Sequence, residues 1–127
     1  MPSYDVSNHD PPAPVARVAL RNPDNAATVA DDVLLMDTGA DVTLLPRAAI
    51  ERLGIPLVAD VRYELTSFDG TKSFAPVAVV DMIFQNRVYR GRYLLIEAEQ
   101  GVLGRDVLNH LSLLLDGPKQ QWSEYTS

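Results

Sequence analysis

Asp37-Thr38-Gly39-Ala40 directly follows four apolar residues, Val33, Leu34, Leu35 and Met36, and precedes Asp41 and a second apolar stretch over 42–45. An Asp-Thr-Gly triplet in that setting arises by chance in on the order of one chain of this length in a thousand. An Asp followed two residues later by Gly also describes an ordinary side-chain-capped turn. That reading leaves the placement unexplained, because a carboxylate at the exit of a buried strand is costly unless it is hydrogen-bonded or shares a proton. The chemistry that uses such a group is hydrolysis of a peptide bond by two carboxyls about 3 Å apart, whose mutual repulsion makes them share one proton. The ionised member takes a proton from water and the protonated member donates to the carbonyl under attack, so neither metal, cofactor nor covalent intermediate is needed. Raising the pH strips the shared proton, and an acidic activity optimum is expected. Thr38 would brace the loop through its hydroxyl, and Gly39, without a Cβ, would let a substrate backbone pass close.

The chain contains one such triplet; Asp69-Gly70-Thr71 has the order reversed. A catalytic reading therefore takes the second carboxyl from an identical chain, across a two-fold axis that brings the same residue to both sides. It predicts an obligate homodimer. A rival reading keeps the fold as a peptide-binding or assembly module with little turnover, and dimerisation assayed beside cleavage tells the two apart.

The elements that must hold this loop are mostly strands. Alternating and continuous apolar runs place strands over 15–21, 28–37, 61–67, 72–84, 88–97, 102–103 and 112–116, with a last one around Trp122. Asp69-Gly70 is a strong hairpin signal between the third and fourth, and a long hairpin should project there. One helix starts near Pro46, carries Ala48, Ala49, Ile50 and Leu53, and is stopped by Gly54. A shorter one begins at Asp106 as its cap and runs through Val107, Leu108 and Leu111. Short strands separated by turns predict an all-β domain, a small closed barrel with one or two short helices. Residues 1–14 hold four prolines among Ser3, Asn8 and Asp10, a composition that reads as a disordered tail, leaving 15–127 as the domain.

Bulk properties narrow the classes further. With 127 residues, 46% of them apolar, the chain fills one core and excludes a two-lobed enzyme. It has no cysteine and only His9 and His110, which removes thiol chemistry and a zinc site built from His and Cys. A net charge of -6 repels a phosphate backbone, so nucleic acid is not the expected ligand. No membrane segment or signal peptide is read, which makes the cytosol the default compartment, for the chain alone or as a soluble part of a longer protein. His110 lacks a partner serine motif and reads as a helix-face histidine.

Two separated motifs, Leu35-Met36-Asp37-Thr38-Gly39-Ala40-Asp41 and Val102-Leu103-Gly104-Arg105-Asp106, together resemble the retropepsin-type aspartic proteases, single-lobe dimeric relatives of the pepsin class. The resemblance spans roughly residues 15–116, and it implies a barrel whose β-hairpin flap, here 63–84, closes over a bound peptide. It implies catalytic roles for Asp37, Thr38 and Gly39, with the Thr38 hydroxyl reaching across the dimer axis. Substrate contacts would come from Gly39, Ala40 and Asp41 on the loop and from Phe68, Asp69 and Gly70 at the flap tip. Asp41, Arg105 and Asp106 would support the site, Arg105 holding Asp41 in an ion pair suited to a guanidinium fork. Without the resemblance, residues 104–106 read as a turn, an exposed arginine and a helix cap. Phe68 and Phe74 would either line side-chain pockets or pack across the hairpin. Family dimers interleave terminal strands, and Leu113, Leu114, Leu115 and Trp122 are candidates for that interface or for the core.

Overall fold

Strand β1 (Val15–Asn22) alternates buried and open side chains, and Ala16, Val18 and Leu20 point into the core, while Val15 is buried on the other face. It turns back into the twelve-residue β2 (Asn25–Met36), pairing antiparallel from Asn22↔Asn25 to Val15↔Leu35. The remaining elements are β3 (Leu44–Pro46), α1 (Arg47–Arg52), β4 (Arg62–Thr66), β5 (Lys72–Phe84), β6 (Arg87–Ile96), β7 (Gly101–Leu103), α2 (Arg105–Leu108), β8 (Leu113–Asp116) and β9 (Gln121–Glu124). The computed structural model describes residues 2–66 and 69–125.

Hydrogen bonding runs β1-β2-β7-β3-β6-β5, and β5 returns to β1 through Ala19↔Ile83, Leu20↔Met82 and Arg21↔Asp81. Closure of that ring makes a six-stranded barrel, with no open edge among those strands. Leu20, Leu34, Leu45, Val80, Met82, Leu95 and Leu103 fill it, and α1 adds Ala49 and Ile50. The β5–β6 turn lies at Gln85-Asn86, both at positive φ, which gives the backbone twist that two-residue hairpins favour. Asp81 is the exception in the wall. Its side chain, 1% exposed, accepts from Arg90 at 2.6 and 3.0 Å and from Arg21 at 3.1 and 3.3 Å, tying β5 to its neighbours on both sides.

β4 lies outside the ring, paired only to the first part of β5. Most of β4 and the first three residues of β5 are exposed, so this hairpin projects from the barrel as a flap.

The chain termini pack together. β8 and β9 form a separate hairpin, anchored where Trp122 is buried against Phe84 and donates its indole N–H to the Val15 carbonyl at 2.9 Å. Of the interface candidates, Trp122 is therefore core, while Leu114 and Leu115 are open to solvent. Of residues 2–14, read from composition as a tail, residues 2–4 pair along this hairpin in the structure and the segment beyond them folds back on itself. Pro2 accepts from Trp122 N–H, Tyr4 N–H donates to Gln120, and Asp5 and Ala13 exchange backbone bonds. Tyr4 supplies the apolar contact that the composition hides, since it packs partly buried against the core. Among the described residues, no helix is long and apolar enough to cross a membrane.

Candidate active site

Parallel pairing brings the two motifs together. β2 and β7 run side by side with Leu34↔Gly101, Leu35↔Val102 and Met36↔Leu103, so both strands end at the same level and their following loops start as neighbours. The Asp37 N–H donates to the Leu103 carbonyl at 3.1 Å, continuing the ladder one step into the loop. The Ala40 N–H then closes a turn onto the Asp37 carbonyl, and the Arg105 N–H donates to the Ala40 carbonyl at 3.0 Å.

Asp37 is half-buried, and its Oδ1 accepts from the Gly39 N–H at 2.9 Å. A Cβ at Gly39 would stand 3.1 Å from that oxygen, so glycine keeps the carboxylate uncrowded. Thr38 is exposed at the rim. Arg105 divides its guanidinium between two partners: Nη1 donates to the Thr38 carbonyl at 2.6 Å and Nη2 to Asp41 Oδ1 at 2.5 Å. The expected Asp41–Arg105 pair is present, but the fork is shared with backbone instead of gripping the carboxylate twice. Because both side chains are well exposed, the charge attraction itself is worth only about 0–1 kcal/mol, and the value of Arg105 lies in fixing the loop.

Asp106 does more than the expected first-turn contact. Gly104 occupies the cap position of α2, the Asp106 carboxylate accepts from the Val107 N–H at 3.0 Å, and the same carboxylate reaches the segment after the Asp37 loop. It accepts from the Thr43 N–H at 3.0 Å and the Thr43 hydroxyl at 2.7 Å, while the Thr43 oxygen accepts from the Gly104 N–H at 3.1 Å. Thr43 is 1% exposed and was not singled out from the sequence. Its signal was there, a lone hydroxyl inside the apolar stretch 42–45. Gly104 was also under-read, since a Cβ there would meet Val42 backbone at 2.5 Å. Two loops therefore cross at a spacing that admits only glycine.

Asp69 and Gly70 sit on a separate element, the flap tip, where Asp69 Oδ1 accepts from the Thr71 N–H at 2.9 Å and Gly70 takes φ 84°. Phe68 lies outside the described residues. Phe74 stands opposite Glu64 and is 67% exposed, so it is not packed across the hairpin. A cleft of about 1090 Å³ lined by Arg17, Asp31, Asp32, Ile83 and Gln100 contains none of these residues. A substrate groove split between two copies would not appear as a closed cavity in one.

The arrangement offers a hydrogen-bonded carboxylate at a braced loop end, with an exposed, projecting hairpin on the same chain. Comparison with solved structures matches the EIAV protease complexed with the inhibitor HBY-793, at a TM-score of 0.58 and 22% identity over 85% of this chain and 92% of that one. Comparison with curated protein sequences finds no match. The family model described as "gag-polyprotein putative aspartyl protease" matches residues 31–110, more than half of the chain and both motifs. The chain belongs to that family and is a retropepsin-like aspartic endopeptidase with a β-barrel fold.

Proposed function

We propose that the active enzyme is a homodimer in which the Asp37 carboxyls of two copies meet at a two-fold axis and share one proton. The ionised carboxyl takes a proton from a water held between them, and the water oxygen attacks the scissile carbonyl carbon. The protonated carboxyl donates to the carbonyl oxygen. Collapse of the tetrahedral adduct breaks the C–N bond, with a proton delivered to the leaving amine. An extended peptide lies between the flap tips, with Asp69 and Gly70, and the loop residues Gly39, Ala40 and Asp41. The Gly39 carbonyl accepts from the substrate backbone, and Thr38 hydroxyls brace the two loops across the axis. Arg105, Asp106 and Asp41 hold each loop in position.

The observation that carries this reading is the single Asp37-Thr38-Gly39 loop, locked by Arg105 at 2.6 Å, in a chain that has no second such loop. Its acidic net charge favours protein over nucleic acid as the substrate, and the cytosol is the compartment we assign to the work. The test is Asp37→Asn assayed on an unstructured protein between about pH 4 and 7. The variant should stay folded and dimeric and lose all cleavage; residual cleavage after purification would place the catalytic acid elsewhere.

A further inference from the structure

The long strand β2 outruns its short neighbour β7. The two pair only from Leu34↔Gly101 to Met36↔Leu103, while β2 reaches back to Asn25. The Met36 N–H bonds to Pro14 and the Asp37 N–H to Leu103, so even-numbered residues of β2 turn their backbone groups toward β1 and odd-numbered ones toward the β7 side. The Val33 N–H thus points to the side where β7 begins, and it donates to Asp32 Oδ1 at 2.8 Å. Asp32 Oδ2 is buried and has no hydrogen-bond partner among the described residues. The register Leu34↔Gly101, carried two residues back, brings Glu99 to the level of Asp32.

Asp31, Asp32 and Glu99 all line the cleft of about 1090 Å³ that lies apart from the Asp37 loop. Arg17 is the one basic residue along its lining, and among the described residues no arginine or lysine forms an ion pair with any of the three acids. A buried carboxylate oxygen without a partner is costly and calls for a donor, and a guanidinium offers paired N–H groups in the geometry that carboxylates accept. The rest of the lining suits a polypeptide. Val33 and Ile83 give apolar surface, and the side-chain amides of Gln85 and Asn86 can both donate to and accept from a backbone. His9 bonds the Gln100 side chain at 2.8 Å and so fixes the wall next to Glu99.

We propose that this cleft docks a basic segment of the protein substrate, one arginine of which reaches Asp32 and Glu99. This rests on the reading above of an extended peptide held at the Asp37 loop. The occupant is a substrate chain because three acids against one base complement a basic segment, and because of where the cleft lies. Asp32 precedes Asp37 by five residues of extended chain, about 17 Å at the usual rise per residue. An extended peptide rises as much, so the docked arginine falls about five to eight residues from the scissile bond. Docking at that distance strengthens substrate binding without touching the chemical step, and its effect falls on KM.

Two fluorogenic peptides test this, sharing a core chosen from the cleavage products of an unstructured protein. One carries arginines about five to eight residues to either side of the scissile bond, and the other carries glutamines there. At about pH 6, above the usual carboxylate range, KM should be about 10-fold lower for the arginine peptide with kcat little changed, and added salt should shrink the difference. Asp32→Asn and Glu99→Gln should each bring the ratio of the two KM values toward 1, whereas Asp60→Asn, an exposed acid outside the cleft, should leave it near the parent value. A parent ratio of 1, or a ratio that neither Asp32→Asn nor Glu99→Gln changes, would overturn the docking site while cleavage continues. Failure of the catalytic reading has a different signature. The labelled arginine peptide should bind the Asp37→Asn protein in fluorescence anisotropy, and about 10-fold more weakly once Asp32→Asn is added. Such binding in a protein whose parent cleaves nothing would fault the catalytic reading and leave the cleft standing; such binding with equal KM values would give the cleft to a separate basic partner and overturn the substrate assignment.

Discussion

The Thr43 hydroxyl donates to Asp106 Oδ1 at 2.7 Å and accepts from the Gly104 N–H, so one buried side chain joins the loop after β2 to the turn after β7. Thr43→Val keeps the shape and removes both bonds. Burying the Gly104 N–H without a partner should lower stability by about 1–2 kcal/mol, and Thr43→Ser should restore most of it. Urea unfolding of the three proteins checks this.

Arg105→Lys separates charge from geometry. A lysine keeps the attraction to Asp41 but cannot also reach the Thr38 carbonyl from a rigid fork. Because the pair is exposed, the unfolding midpoint should hardly move. The turnover rate should fall by about 10- to 100-fold as the Asp37 loop loosens, a separation that thermal melts and kcat together resolve.

Asp81 predicts the acid limb of stability. Hydrogen bonding from Arg90 holds its carboxyl below the usual carboxylate range against the opposing pull of burial, and Arg21 adds to the lowering. A lowered folded-state value contributes stability that is complete above the unfolded value of about 3.9 and is lost as pH falls through the folded one. Asp81→Asn should therefore cost about 2 kcal/mol near neutrality and flatten the decline below about pH 4. An unchanged acid limb in denaturant titrations would contradict the assignment.

Gly104 and Gly117 should respond differently to alanine. At Gly104 a Cβ would meet Val42 backbone at 2.5 Å, whereas at Gly117 nothing stands within 4 Å. Gly104→Ala should cost about 3 kcal/mol and most of the activity, and Gly117→Ala should stay within about 0.5 kcal/mol. Melting curves with a peptidase assay decide it.

Strand content, the Asp69-Gly70 hairpin and the Asp37 loop were legible in the sequence because each is local: apolar alternation, turn residues and a motif seven residues long carry their own signals. β5 was located to its ends, Lys72–Phe84, for that reason. What only the tertiary structure decided depends on residues far apart in the chain. Thr43 looks like any buried threonine until β2 and β7 are placed in parallel. Gly104 looks like a turn glycine until Val42 passes beneath it, and Asp106 looks like a helix-start residue alone until its carboxylate, besides the Val107 N–H, also holds Thr43. The proline-rich start reads as a tail by composition, and it takes the free edge of β9, formed more than a hundred residues later, to hold it. Local patterns specify which elements form; which edges and carboxylates remain unpaired is a property of their assembly, and that is where the chemistry and the proposed docking cleft reside.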